Sequence, residues 1–486
     1  MIAGLIEIID WIMVLAFALS LPILASIHIL RSREDVGSAI AWMSFVWFVP
    51  VLGVVLYMLL GINRIRRRAR AVRQRQGLSP KEIIGDDPKK KGLVDAWEDA
   101  PRRWRAHARL SARLSRNSLT AGNSVEVIPG GKQALDAMLL AINEAEHSVA
   151  LTSYIFQVDQ AGRRFVSALV KAQERGVAIR VLVDAVGNWY GFRPVLGLLR
   201  RHKIPVASFN PPSLTWRLAF FNLRTHRKIL VVDGQKGFAG GVNIHRHYLP
   251  KKNGLPLVKD THFSFQGPIV DQMMDVFSDD WSFVTGEELE GRPWYREQQK
   301  QQKEGHILRG FSDGPDEERP VTLNILESAL YAARQSVRIV TPYFIPDVSL
   351  IHALQQAALR GVDVQILVPK KSNIPLFSLA TSSGFSRLLR ADVKVYQSEP
   401  TFDHSKLLVI DDHYGLVGSS NWDARSLRLN FEFNMELYGS QAIKGLSEHI
   451  HHKFSEATLL RSEEHEKRPL WNRVTGRLLW LLSPYL

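Results

Sequence analysis

A stretch of twenty residues occurs twice in this chain, and any fold it adopts has to accommodate both copies. Residues 225–244 read THRKILVVDGQKGFAGGVNI and residues 403–422 read DHSKLLVIDDHYGLVGSSNW. In each copy a His is followed by Lys two residues on, Asp seven on, Gly fourteen on and Asn seventeen on: His226, Lys228, Asp233, Gly240, Asn243, then His404, Lys406, Asp411, Gly418, Asn421. One His-x-Lys pair carries no information. Five matched positions 178 residues apart, each on an apolar run, indicate an internal duplication.

The spacing implies a geometry. A β-branched run ending in Asp-Gly or Asp-Asp-His predicts a strand entering a tight hairpin. His226 and Lys228 then share one face, because side chains alternate with period two. Two-residue turns at Gly234-Gln235 and Asp412-His413 would set His226 opposite Asn243 and His404 opposite Asn421. Asp233 and Asp411 complete the catalytic motif, but at an odd offset they point away from the imidazoles. They are expected to fix the turn or a salt bridge without touching substrate.

His, Lys and Asn beside small pairs (Gly240-Gly241, Gly418-Ser419) make a pocket rich in donors and poor in bulk, which suits a phosphate oxyanion. Two half-sites supply two imidazoles, each able to act as nucleophile or as acid and base near neutral pH. Such a pair can cleave a phosphodiester through a phosphohistidine, with no metal or other cofactor required. A lone His near a strand is more often structural, and a lone Lys more often solvated. The matched duplication argues against both readings.

These residues resemble the paired His-x-Lys-x4-Asp motifs of the phospholipase D superfamily, over most of residues 120–460. The resemblance implies an α/β fold of two tandem phospholipase D-like lobes with one active site at their interface. It also implies that Asp260 (VKDTHFSFQGPIV) and Glu432 (RLNFEFNMEL) brace the imidazoles, with Asn243, Asn421 and Ser419 supporting the phosphate. Gly241 stands where the superfamily commonly has Ser, so one hydroxyl contact is missing.

Bulk properties identify the partner. The 486 residues carry a net charge of +14, which implies acidic partners, either anionic lipid or nucleic acid. Zero cysteines exclude disulfides and thiolate chemistry. Residues 11–30 and 38–62 are uncharged runs of twenty and twenty-five, each long enough for a helix to cross about 30 Å of hydrocarbon. They predict an N-terminal transmembrane hairpin rather than a signal peptide, whose basic n-region is absent. Seven arginines follow the second run (Arg64, Arg66, Arg67, Arg68, Arg70, Arg73, Arg75), placing the rest of the chain in the cytoplasm and those arginines on anionic headgroups.

The expected organisation is a transmembrane hairpin with its basic exit (1–75), a linker with one helix near 104–114 (76–118), a first lobe (119–290), an inter-lobe linker (291–319), a second lobe (320–469) and an apolar interfacial helix (470–486). Strands at 125–128, 149–156 and 177–184 alternate with helices at 133–145 and 163–174. The second half repeats this with helices at 323–333 and 349–358 and strands at 337–344 and 362–368. SVALTSYIF parallels SVRIVTPYF. In the last segment Leu470, Trp471, Val474, Leu478 and Leu482 fall on one helical side, fitting an in-plane membrane helix or docking on the second lobe. His449, His451 and His452 read as a solvated helix face, not a metal site. Trp189, Tyr190, Trp216, Phe220 and Phe221 shape either an acyl-chain entrance or ordinary loop packing.

Membrane spans, two phosphodiester half-sites and an apolar end resemble the bacterial cardiolipin synthase branch of the superfamily, in the bacterial inner membrane. That branch implies phosphatidylglycerol as substrate, cardiolipin and glycerol as products, and no nucleic acid partner. A hydrolysing or headgroup-exchanging phospholipase D uses the same residues and stays open. A membrane-tethered nucleic-acid enzyme fits the charge but leaves the tether and the apolar end unexplained.

Overall fold

The computed structural model describes residues 2–32, 36–58, 101–115, 117–187, 195–210, 224–251, 257–296, 305–315, 317, 319–373, 375–399 and 401–481. The expected entrance residues Trp189, Tyr190, Trp216, Phe220 and Phe221, and the arginines from Arg64 to Arg75, lie outside them. So do Leu482 and the rest of the C-terminal segment.

The N-terminal unit consists of α1 (Ile2–Ser32), α2 (Val36–Phe48) and α3 (Pro50–Leu56). The described part of the uncharged run 38–62, residues 38–58, is not one helix. Pro50 has no N–H and disfavours a helical residue before it, and here the chain breaks at Val49 (φ −134°) and restarts with Pro50 at the first helical position, whereas Pro22 is accommodated inside α1. Ala25, Ile29, Val46, Val54 and Tyr57 form a small core, closed by a bond between His28 Nδ1 and Tyr57 Oη at 2.8 Å. Among the described residues no helix is long and apolar enough to cross a membrane.

The second unit is mixed α/β. Its first half comprises α4 (Arg102–Ser115), β1 (Thr120–Ile128), α5 (Gly131–Glu144), β2 (Ser148–Ser153), α6 (Gln160–Glu174), β3 (Ala178–Asp184), α7 (Val195–Arg201), β4 (Val206–Phe209), β5 (Ile229–Val232), β6 (Lys236–Gly240), β7 (Val258–Lys259), β8 (His262–Gln266) and α8 (Ile269–Thr285). The second half comprises β9 (His306–Asp313), α9 (Val321–Ala332), β10 (Ser336–Val340), β11 (Phe344–Ile345), α10 (Val348–Leu359), β12 (Asp363–Pro369), α11 (Pro375–Leu389) and β13 (Lys394–Ser398). There follow β14 (Phe402–Asp403), β15 (Leu407–Ile410), β16 (Tyr414–Gly418), β17 (Trp422–Asp423), α12 (Ala424–Arg428), β18 (Glu432–Tyr438), α13 (Ser440–Ser455), β19 (Thr458–Leu459), α14 (Ser462–Glu466) and α15 (Leu470–Leu481).

The duplication is visible in the pairing. β2 runs parallel to β3 and antiparallel to β5, just as β10 runs parallel to β12 and antiparallel to β15. One continuous sheet results, in the order β19-β13-β12-β10-β15-β16-β18-β9-β1-β8-β6-β5-β2-β3-β4. The halves meet where β1 pairs with β9 (Thr120↔Leu308, Asn123↔His306). Central strands such as β2 and β5 are buried throughout, which explains their unbroken apolar runs.

Two segments expected as linkers take part in the core, and in 76–118 the expected helix near 104–114 is present as α4. Residues 291–319 contain β9, which holds the middle of the sheet between β1 and β18. Residues 76–118 contain α4, whose Trp104, His107, Ala108 and Ser111 are buried. Trp104 stacks on Tyr414 at 5.1 Å. Below it Glu436 accepts bonds from His107 (3.2 Å), Ser111 (3.0 Å), Tyr414 (3.0 Å) and Tyr438 (2.8 Å), and faces Arg309 at 3.3 Å. The charge of Glu436 is thereby held in its ionised form, well below the ordinary carboxylate range although burial opposes this. Removing one partner of such a buried pair typically costs about 3–5 kcal/mol.

Candidate active site

The connection between β5 and β6 decides where the motif residues go. Pairing runs Ile229↔Ala239 to Val232↔Lys236, and the second copy runs Leu407↔Val417 to Ile410↔Tyr414. The register is therefore one residue off the expected one, with three residues in each connection. Asp233 and Gly234 take φ of 53° and 60°, Asp411 and Asp412 φ of 53° and 49°, a turn closed by Gln235 N–H to Val232 O in the first copy. Hairpin pairing stops at Ile229↔Ala239 and Leu407↔Val417, so neither Asn sits opposite its His on the hairpin. Instead Asn243 Oδ1 accepts from Ile155 N–H at 3.2 Å, while Asn421 Oδ1 is buried without a hydrogen bond.

The turn aspartates are grouped with the catalytic motif by sequence, but the fold places them elsewhere. Seven residues of extended chain separate each from its His, roughly 20 Å. Asp233 accepts from the N–H groups of Glu146, His147 and Ser148 at 3.0, 2.7 and 2.8 Å, tying the turn to the start of β2. Asp411 does the same for Arg334, Gln335 and Ser336 and also meets Arg103. They position the hairpins and do not touch the imidazoles.

The imidazoles meet through pairing across the two halves. Thr225 forms a parallel bridge with Phe431, and His226 N–H donates to Phe431 O at 2.8 Å. One residue further in this parallel register, His226 stands beside Glu432. Likewise β14 pairs with β7, Asp403↔Lys259, His404 N–H donates to Lys259 O, and His404 stands beside Asp260. Each imidazole is thus held by an acid from the other half: His226 Nδ1 to Glu432 Oε2 at 3.0 Å, His404 Nδ1 to Asp260 Oδ2 at 3.0 Å. The rings face each other with centroids 6.5 Å apart.

The half-sites differ in detail. Ser419 donates to Glu432 Oε2 at 2.5 Å and accepts from Phe433 N–H, so its hydroxyl braces the acid. A side chain at Gly241 would bring Cβ to 2.2 Å from Asp260 Oδ1, and Asp260 takes its hydrogen bonds from Tyr248 Oη (3.1 Å) and Thr261 N–H (2.8 Å) instead. Lys228 donates to His226 O and Lys406 to His404 O, bringing both ammonium groups into the site. Tyr154 lies edge-on to His226 at 5.2 Å, and Tyr343 to His404 at 6.3 Å. Tyr154 and Tyr343 lie in the parallel stretches SVALTSYIF and SVRIVTPYF, which mark them only as strand ends, and Tyr248 lies in no repeated stretch. His449 also departs from its expected solvated face: it bonds Thr261, which in turn bonds Ser405, beside the site.

Electrostatics separate the two histidines. Burial, reinforced by the charges of Lys228 and Lys406, holds the His226 imidazole well below its ordinary pKa. Its Nδ1 also lies 3.0 Å from the Ser419 carbonyl, which can only accept. Nδ1 therefore carries the proton and Nε2 has a free lone pair. Burial and Lys406 lower His404 too, but there the hydrogen bond and charge of Asp260 oppose them. Burial would raise Asp260, yet the bond from His404 and the charges of His404 and Lys406 keep it ionised, below its ordinary value. Glu432 is pushed by burial up to about 7 against the pull of Lys228. Burial brings Lys228 down to about 7 and Lys406 to about 8. Among the described residues no group of three or more His, Asp or Glu side chains could hold a metal.

The phospholipase D-like domain of cardiolipin synthases matches residues 138–281 and 326–455, more than half of the chain and covering both half-sites. The chain belongs to the phospholipase D-like cardiolipin synthase family. Within that family it is 31% identical to the cardiolipin synthase of Geobacillus kaustophilus, over 96% of this chain and 92% of that one. It is 30% identical to the cardiolipin synthase of Alkalihalophilus pseudofirmus, over 97% and 93%. Residues 20–61 match a second family, described as the phospholipase D-nuclease N-terminal region. The phosphatidylserine synthase of Haemophilus influenzae shares the fold, with a TM-score of 0.61 at 15% identity over 78% of this chain and all of that one.

Proposed function

We propose that this chain is a phosphatidyltransferase that makes cardiolipin from two phosphatidylglycerols. The observation that carries the reading is the facing pair of imidazoles, each bonded to an acid of the opposite half, in a chain similar to cardiolipin synthases over nearly all its length.

In the first step His226 Nε2 attacks the phosphodiester phosphorus of one phosphatidylglycerol. The bond to the headgroup oxygen breaks, His404 gives that oxygen its proton, and glycerol leaves. The bound phosphodiester's negative charge, added to that of Asp260, favours the protonated form of His404 at this stage. In the second step the glycerol hydroxyl of another phosphatidylglycerol gives its proton to His404 and attacks phosphorus. The P–N bond breaks and cardiolipin departs. Lys228 and Lys406 neutralise the equatorial oxygens in both steps. Asp260 holds His404 in its tautomer, and Glu432 with Ser419 fixes the ring of His226. In this reading Asn243 and Asn421 offer their side-chain amides to the phosphate.

Purified full-length protein in detergent, supplied with labelled phosphatidylglycerol, tests this directly. Cardiolipin and glycerol in equal amounts are expected. Phosphatidic acid would establish hydrolysis instead, and nuclease activity without lipid turnover would establish a nucleic-acid enzyme.

The N-terminal unit anchors this chemistry in the bacterial inner membrane. Phe48 is 86% exposed, and Leu24, Leu30 and Val51 are also open, an arrangement suited to lipid contact. Arg64 to Arg75 put the catalytic body in the cytoplasm by the positive-inside rule. A reporter fused after Arg75 is expected to behave as cytoplasmic, and alkaline phosphatase activity from that fusion would reverse the orientation.

A further inference from the structure

The C-terminal helix α15 is docked on one side and bare on the other. Its buried side packs on α11: a side chain at Gly476 would bring Cβ to 2.6 Å from Leu379 O, and Trp480 meets the Arg387 guanidinium at 5.4 Å. Before it, Arg468 and His465 bond Ser382 and Ser386 of the same helix. Leu470, Trp471, Val474 and Leu478 are 72, 75, 43 and 58% exposed. At 100° per residue these four fall within about 100° of arc, away from Gly476. Exposed basic residues flank them: Arg461, Lys467, Arg473 and Arg477.

The position of this stripe connects it with the site. Gly476 faces Leu379 and Ser383 while Trp480 faces Arg387, so α15 runs in the same direction as α11 and begins beside the start of α11. There Phe377, in the first turn, lies 5.0 Å from Tyr343, and Tyr343 lies 5.9 Å from Phe402 and 6.3 Å from His404. Phe402 is itself 6.0 Å from His404. An aromatic wall therefore leads from the first turn of α11, beside which α15 begins, to the second imidazole.

We propose that the α11–α15 pair is the surface by which the catalytic body rests on an anionic bilayer, with the Leu470–Trp471–Val474–Leu478 stripe among the acyl chains and Phe377, Tyr343 and Phe402 guiding a lipid to His404. The proposal rests on the lipid substrate assigned above. Apolar area inserted in the interface and basic charge on its rim are what bind such a helix to anionic lipid. The apolar end of the chain thus combines both expected roles, docking through one face and meeting lipid through the other.

The chain has no cysteine, so single cysteines report cleanly. Val474→Cys and Leu478→Cys, labelled with bimane in the full-length protein and reconstituted into phosphatidylglycerol–phosphatidylcholine vesicles, are expected to lose more than about half their emission to nitroxide-bearing lipid while resisting aqueous iodide. Lys132→Cys, on the exposed side of α5, should show the opposite. Iodide quenching of all three labels would overturn the proposal. Shielding of the first two from both quenchers would point to a second protein copy and overturn it too. Equal lipid quenching in phosphatidylcholine alone would contradict the anionic preference. Trp471→Glu with Leu478→Glu should lower turnover of vesicle phosphatidylglycerol about tenfold or more, yet leave a short-chain monomeric phosphodiester within about twofold. Equal losses would refute the docking role. If the unsubstituted chain made no cardiolipin, the functional reading would fail while the quenching result still decided where α15 lies.

Discussion

His226→Ala is expected to abolish turnover, by about 10³-fold or more, and to form no covalent adduct with any phosphodiester. His404→Ala should lose natural turnover to a similar extent. It should still form an adduct from a phosphatidyl ester of p-nitrophenol, whose leaving group departs without a proton. The difference follows from the bonds each ring makes. The Ser419 carbonyl forces the proton of His226 onto Nδ1 and leaves Nε2 as a lone pair. The ionised Asp260 carboxylate beside His404 supports a second proton there. Intact-protein mass spectrometry after a rapid quench checks both variants. An adduct on His404 in the chain lacking His226 would reverse the roles.

The two bracing acids should respond unequally to removal of their charge. Asp260→Asn takes away the negative neighbour that favours protonated His404, so the pKa of that imidazole falls further. Activity that requires its proton is then lost at lower pH. The alkaline limb of the kcat/KM profile should move down, and kcat near neutral pH should drop by about 10²-fold. Glu432 has a pKa near 7 in the folded chain, so below that pH it is already largely uncharged. Glu432→Gln keeps an oxygen that can accept the Nδ1 proton of His226. It should remain within about tenfold of the unsubstituted chain below pH 7 and diverge above it, where the carboxylate ionises. A pH series of initial rates on mixed micelles, with circular dichroism to check folding, decides the matter. Equal, parallel losses at every pH would contradict the asymmetry.

What could be read from the residues depended on whether local spacing carried it. The paired motifs were legible because duplication preserved five positions in each copy, and the alternating strands and helices of both halves follow from apolar periodicity. The hairpin register was not. A two-residue turn and a three-residue connection are equally compatible with VVDGQK, and only the pairing of Val232 with Lys236 distinguishes them. The strand β9 resembled linker, and the helix α4, legible as a helix, was not legible as part of the core. In α4 the buried side chains are confined to Trp104, His107, Ala108 and Ser111, outnumbered by arginines. In β9 the central residue is Arg309, whose polarity makes sense only once Glu436 is beside it. The exchange of acids between halves lay furthest out of reach. It depends on Thr225 pairing with Phe431 and Asp403 with Lys259, contacts between segments far apart in the chain.

The most direct test of a covalent two-histidine transfer is to catch the intermediate and watch it leave. Full-length protein mixed with less than one equivalent of labelled phosphatidylglycerol is quenched in base, which preserves phosphohistidine, and its peptides are mapped by mass. Label on the peptide containing His226 is expected, with one glycerol released per adduct. On addition of unlabelled phosphatidylglycerol before the quench, that label should pass into cardiolipin at least as fast as steady-state turnover. Cardiolipin formed at full rate with no adduct on either histidine would mean direct displacement between two lipids and would contradict the account.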